Sequence, residues 1–127
     1  MIQIPVARGL SICEQVIVEE NTKNITLVNV FTTMRVDQFP SESRRFYVVA
    51  LLSDGLGEIS LQVRMGRLDT FEIIRIIPLT MRFTDRTQEV RFLLRVNNCR
   101  FPVAGDYQVV LTANGQPIAD STIRVIS

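Results

Sequence analysis

Ile59, Leu61, Val63 and Met65 alternate with Ser60, Gln62 and Arg64. Successive side chains of an extended chain point to opposite faces, so this run predicts a strand with one apolar and one wet side. The same rhythm returns at Val90, Phe92, Leu94 and Val96, and at Tyr107, Val109 and Leu111. It returns again at Ala119, Ser121, Ile123 and Val125, against Asp120, Thr122 and Arg124. No segment carries the spacing of an amphipathic helix.

The remaining segments fall into place around these. Leu10 to Glu19 predicts a first strand whose rhythm is interrupted at Glu14 and Gln15; a bulge there restores the phase. Glu20 to Asn24 is a polar turn, and Ile25 to about Val36 predicts a second strand, apolar on both faces. Phe39 to Ser43 reads as a loop, because proline and small polar residues stop a ladder. Phe46 to Leu52 is apolar without alternation, which suits a central strand covered on both sides. Asp54-Gly55-Leu56-Gly57 makes a tight connection into Glu58–Met65. Phe71 to Phe83 is broken by Pro78, which marks an edge, a bulge or a split into two strands. Thr84 to Thr87 is a turn, Glu89 to Val96 a strand and Asn97 to Gly105 a longer loop. Asn114-Gly115, between Tyr107–Ala113 and Pro117–Ile126, tolerates the positive φ of a type I′ hairpin turn.

The expected fold is therefore all-β: an antiparallel β-sandwich of about eight strands, immunoglobulin-like in general architecture, with residues 1–127 as one domain. Barrel closure has no separate signature. Gly105-Asp106-Tyr107 ahead of an alternating strand resembles the corner where immunoglobulin-like domains set a tyrosine hydroxyl against upstream backbone. The alternative is an ordinary half-buried tyrosine, since the tryptophan and inter-sheet disulfide of true immunoglobulin domains are missing.

Composition sharpens this picture in three ways. Hydrophobic residues are 46% of the chain and the mean hydropathy is +0.20, high for so small a domain. Either several strands are buried on both sides, or a second copy or a partner covers apolar surface. The net charge of +1 gives no handle on nucleic acid or acidic membranes. Lys23 is the only lysine among 14 cations; the arginines suit bidentate contacts at interfaces, or merely reflect codon usage. No apolar run is long enough to span a membrane, and the first residues do not read as a signal peptide, so a cytoplasmic location is expected. The sequon Asn24-Ile25-Thr26 is then idle. Cys13 and Cys99 are expected to be free and buried as small hydrophobes.

Ser11-Ile12-Cys13-Glu14-Gln15-Val16, then Ile25 to Phe31, Phe39-Pro40, Cys99-Arg100-Phe101-Pro102 and Gly105-Asp106-Tyr107 are the segments that carry a resemblance. In these the chain resembles a family of short bacterial all-β proteins, known mainly as uncharacterised domains. The resemblance spans most of the chain and implies a compact sandwich in a bacterial cell. It carries no catalytic residue over.

Candidate chemistry is sparse. Without histidine, the commonest general base and metal ligand are missing, and no Ser-His-Asp or Cys-His device can form within one chain. Gly55 and Gly57 lack the third glycine and following helix of a phosphate-binding turn. Asp54, Asp69, Asp85, Asp106 and Asp120 each sit near a predicted turn, without the D-x-D clustering of a calcium site. No catalytic residue, metal ligand or cofactor site is assigned. Arg91 and Arg95 share one strand face and Arg100 follows closely, so these three are the candidate contacts for an anion or a partner; solvated outward positions are the bland alternative. Val110, Ile74 and Ile76 occupy phases where a one-sided sheet is polar, which marks either self-association or a doubly covered strand. The leading expectation is a non-enzymatic binding or assembly module that contacts itself or another protein. A domain binding a carbohydrate or anionic metabolite is second, and an enzyme built on carboxylates or an oxygen-ligated metal is third.

Overall fold

The computed structural model describes residues 1–127 and contains eleven strands. They are β1 (Val6–Val18), β2 (Ile25–Val30), β3 (Thr33–Arg35), β4 (Ser41–Glu42), β5 (Phe46–Ser53) and β6 (Gly57–Arg67). The others are β7 (Ile73–Phe83), β8 (Val90–Val96), β9 (Arg100–Phe101), β10 (Gly105–Ala113) and β11 (Gln116–Ile126). A four-stranded sheet runs β2-β1-β5-β8 and a five-stranded sheet β3-β11-β10-β6-β7, with β4 and β9 forming a separate ribbon. All pairings are antiparallel except β3 on β11. No helix is long and apolar enough to cross a membrane.

Alternation decides what lies between the sheets. Ile12, Phe46, Val48, Leu52 and Phe92 from one sheet join Leu61, Val63, Met65, Val109, Leu111 and Ile123 from the other in one core. Each such side chain contributes about 1.5–3 kcal/mol by leaving water. Two aromatic pairs add to the packing: Phe31 meets Phe46 edge-on at 6.3 Å, and Phe101 meets Tyr107 at 4.9 Å.

The extra strands arise where the chain departs from a simple meander. Ile25 to Val36 is not one strand. Asn29 takes a φ of 53° within β2, Val30 still pairs with Cys13, and the Phe31 amide bonds the Ile12 carbonyl. From Thr32 the chain crosses to the opposite sheet, where β3 runs parallel to β11. The two expected loops, Phe39–Ser43 and Asn97–Gly105, contain β4 and β9, which zip Ser41 to Phe101 and Glu42 to Arg100. The fold is thus all-β, sandwich-like and rich in antiparallel pairs, as expected, with eleven strands in place of about eight.

The bulge in β1 also moves. The register against β5 shifts between Arg8 and Ser11, where Gly9 has a φ of 67°, and the pairing of Cys13 to Val18 with β2 keeps one register past Glu14 and Gln15. Pro78 does not split its segment: β7 is continuous and forms the edge of its sheet, where a missing donor is tolerated. Cys13 and Cys99 are free and buried, as expected.

Candidate functional site

The four-stranded sheet turns one face to the core and leaves the other without a covering layer. Residues paired across a ladder share a face, so the register sets out this outer face row by row. Arg8, Leu51 and Arg91 form one row across β1, β5 and β8. Ser11, Val49 and Leu93 form the next. Val30, Cys13, Tyr47 and Arg95 form a third, which runs on into β2. Gln15 with Val28, then Ile17 with Thr26, extend it along the β1–β2 pair.

The centre of this face is dry although no second layer lies on it. Val49 is 4% exposed and Cys13 fully buried, neither belonging to the core between the sheets. They are screened by their neighbours in the rows, with Tyr47 and Leu51 half-buried beside them. The Cys13 Sγ–H donates to the Gln15 carbonyl at 3.5 Å, and burial pushes the thiol pKa up. Around this centre the apolar surface stays open: Val30 is 58% exposed, Ile17 50% and Leu93 38%.

Charge on this face has one sign. None of its strand positions carries a carboxylate, while Arg8, Arg91 and Arg95 stand at its margins. None of the three enters an ion pair; the chain's ion pairs use Arg44, Arg67, Arg82 and Arg124. Strands lie about 4.8 Å apart, so Arg8 and Arg91 flank Leu51 at roughly 10 Å from each other. Arg95 lies about 13 Å further along β8 from Arg91, at about 3.3 Å per residue. Three guanidinium groups thus frame an apolar centre with their donors free.

Of the residues singled out from sequence, Arg91 and Arg95 share this face and Arg100 does not. Arg100 sits in the β4–β9 ribbon opposite Glu42. Arg8 takes the third place. It was invisible as a partner of Arg91 because only the strand order, β5 between β1 and β8, brings the two together. Val110 and Ile76 lie in one row of the other sheet's outer face, on either side of Arg64. Ile74 does not join them: it is the residue left over at the register shift between Met65 and Gly66, and it packs against the core. No group of three or more His, Cys, Asp and Glu side chains is placed to hold a metal ion.

The fold has distant likenesses. A β-glucosidase from Listeria innocua, crystallised with isofagomine, is similar over 97% of this chain and 16% of its own, with a TM-score of 0.52 and 8% identity. A β-glucosidase from Kluyveromyces marxianus aligns over 72% of this chain and 14% of its own, with a TM-score of 0.47 and 10% identity. The chain spans a small part of either enzyme, and the first likeness, at such identity, concerns the fold, not the function. No curated protein matches the sequence. Residues 9–126 match the model of DUF6941, a family of unknown function, and the chain belongs to that family.

Proposed function

We propose that the protein is a non-enzymatic binding module of the bacterial cytoplasm, and that the outer face of the β2-β1-β5-β8 sheet is its contact surface for another protein. The observation that carries this reading is an apolar centre around Val49, Leu51 and Leu93, ringed by three arginines without an acidic partner. Central apolar area with arginine at its margin is the composition of protein contact surfaces. The free thiols of Cys13 and Cys99 fit a reducing compartment.

Charge selects the kind of partner. A two-fold pairing of this face with itself would set arginines against arginines, because such an interface uses the same patch twice. The complementary surface is an aliphatic patch bordered by Asp and Glu on a different protein.

Site-specific photo-crosslinking tests the reading. A photoreactive phenylalanine at Leu93 should give one discrete adduct in cells, whereas the same residue at Thr80, on the outer face of the other sheet, should give none. The adduct should vanish when Arg8, Arg91 and Arg95 are all changed to Glu. Equal adducts from both positions, or an adduct indifferent to charge reversal, would reject the proposal.

A further inference from the structure

One end of the sandwich opens into a cleft of about 330 Å³ between β1, β3 and the start of β5. Its floor is apolar. Phe46 and Met34 are buried there, and Phe31 stands edge-on to Phe46. Its rim is cationic, with Arg35 from β3 and the adjacent Arg44 and Arg45 ahead of β5, against one carboxylate, Glu14. Among the side chains that line the cleft, cations therefore exceed carboxylates by two.

Most of the donors on that rim are uncommitted. Arg45 enters no ion pair. Arg44 reaches Glu14 at 3.6 Å, but both side chains are open to water, where such a pair holds weakly. Arg35 spends only Nη1, which donates to the Ser127 carbonyl at 3.0 Å. Glu14 is held in place by the Asn29 side-chain amide, which donates to it at 3.1 Å. The β1–β2 register, in which Cys13 pairs with Val30 and Gln15 with Val28, sets Asn29 opposite Glu14.

We propose that this cleft binds a small organic anion, a carboxylate or phosphate group borne on a ring-sized apolar body. Guanidinium forks match the oxygens of either group in pairs. The apolar body rests on Phe31 and Met34, and the volume lies at the small end of ligand pockets. Arg44 exchanges Glu14 for the incoming anion, so Glu14 acts as a built-in competitor. The site is separate from the sheet face: Glu14, Phe31 and Phe46 lie on or beyond its core side, and none of its residues is Arg8, Arg91 or Arg95.

A titration of the full chain with phenyl phosphate, followed by amide NMR shifts, tests the site. Saturable shifts should centre on residues 31–35 and 44–46. Changing Arg44 and Arg45 together to Gln should weaken binding about tenfold or more, the scale of one lost charge-assisted contact. Glu14→Gln should instead tighten it by about threefold, a sign that a merely structural role for Glu14 would not produce. Phenylacetate and phenyl phosphate distinguish the carboxylate source from the phosphate source by which binds tighter. Inorganic phosphate should bind about tenfold more weakly than phenyl phosphate, because it leaves the apolar floor unused. Shifts spread without saturation over all the arginines, affinity unchanged in the double variant, or inorganic phosphate binding as well as phenyl phosphate would each overturn the proposal.

Discussion

The Tyr107 hydroxyl donates to the Val103 carbonyl at 2.6 Å, and accepts the Val103 amide at 3.4 Å. This one side chain bolts the loop after β9 to the start of β10. The ring itself is 1% exposed and packs edge-on against Phe101, so hydroxyl and ring make separable contributions. Tyr107→Phe keeps the ring and strips the Val103 groups of their partner. It should lower the unfolding free energy by about 1–2 kcal/mol, the cost of an unmade buried hydrogen bond. Urea melts of the two proteins read this directly, and a loss below a few tenths of a kcal/mol would show that water replaces the hydroxyl.

Burial of Cys99 makes the fold sensitive to alkali. Removal from water pushes this thiol up to about 11, against a weaker opposing pull from Arg75. The unfolded thiol ionises near its ordinary value of 9.0, so above that the folded state holds a proton that the unfolded state has shed. Stability is then complete below about pH 8 and falls as pH rises from about 9 to 11. The loss should be about 2 kcal/mol between pH 8 and 10.5, because each pH unit over which only the folded state keeps the proton costs about 1.4 kcal/mol. The buried Tyr107 hydroxyl, also raised, adds to the fall at its upper end. Urea midpoints measured across this range should decline less steeply in Cys99→Ala than in the parent; parallel slopes would assign the decline elsewhere.

Features fixed within one segment could be read from the chain. The alternation of Ile59 to Met65 gave β6 its face, and Asn114-Gly115 its hairpin, because both depend on neighbours in sequence. The hydroxyl contact of Tyr107 reaches only four residues back, and so it too was visible. What escaped needed partners far along the chain. Nothing local says that Phe31 has a seat beside Phe46 or that the chain beyond it pairs with β11, and that crossing splits the expected second strand between two sheets. Arg8 meets Arg91 only through Leu51, and Arg35 meets Arg44 only through the crossing of the chain. The sites are products of strand order, which alternation cannot express.

The hairpin between β10 and β11 offers a test of how one turn holds a third strand. Asn114 and Gly115 have φ of 48° and 82°. The Asn114 side-chain oxygen accepts the Ser60 amide at 2.9 Å, while its own amide donates to the Ser60 carbonyl at 2.8 Å. The residue thus ties the turn to β6. Asn114→Gly keeps the backbone conformation and loses only the side-chain bond, so it should cost about 1 kcal/mol. Asn114→Ala loses the bond and strains the turn as well, and should cost about 1 kcal/mol more. If the two variants melt together, the strain of positive φ is negligible at this turn.

Val48 and Val49 are both buried, yet they face opposite ways from β5, and this separates stability from contact. Val48 lies between the sheets opposite Ile12 and Leu94, where truncation leaves a cavity that packed neighbours cannot refill. Val48→Ala should therefore cost about 2–3 kcal/mol. Val49 lies on the outer face between Ser11 and Leu93, where neighbouring side chains and water can close over the two lost methyls. Val49→Ala should cost no more than about 1 kcal/mol. The ranking reverses for the proposed partner: Val49→Ala should weaken crosslinking from Leu93, and Val48→Ala should leave it intact at temperatures where the protein is folded. Equal destabilisation by the two changes would mean that something already packs on the outer face as firmly as the second sheet packs on the inner one.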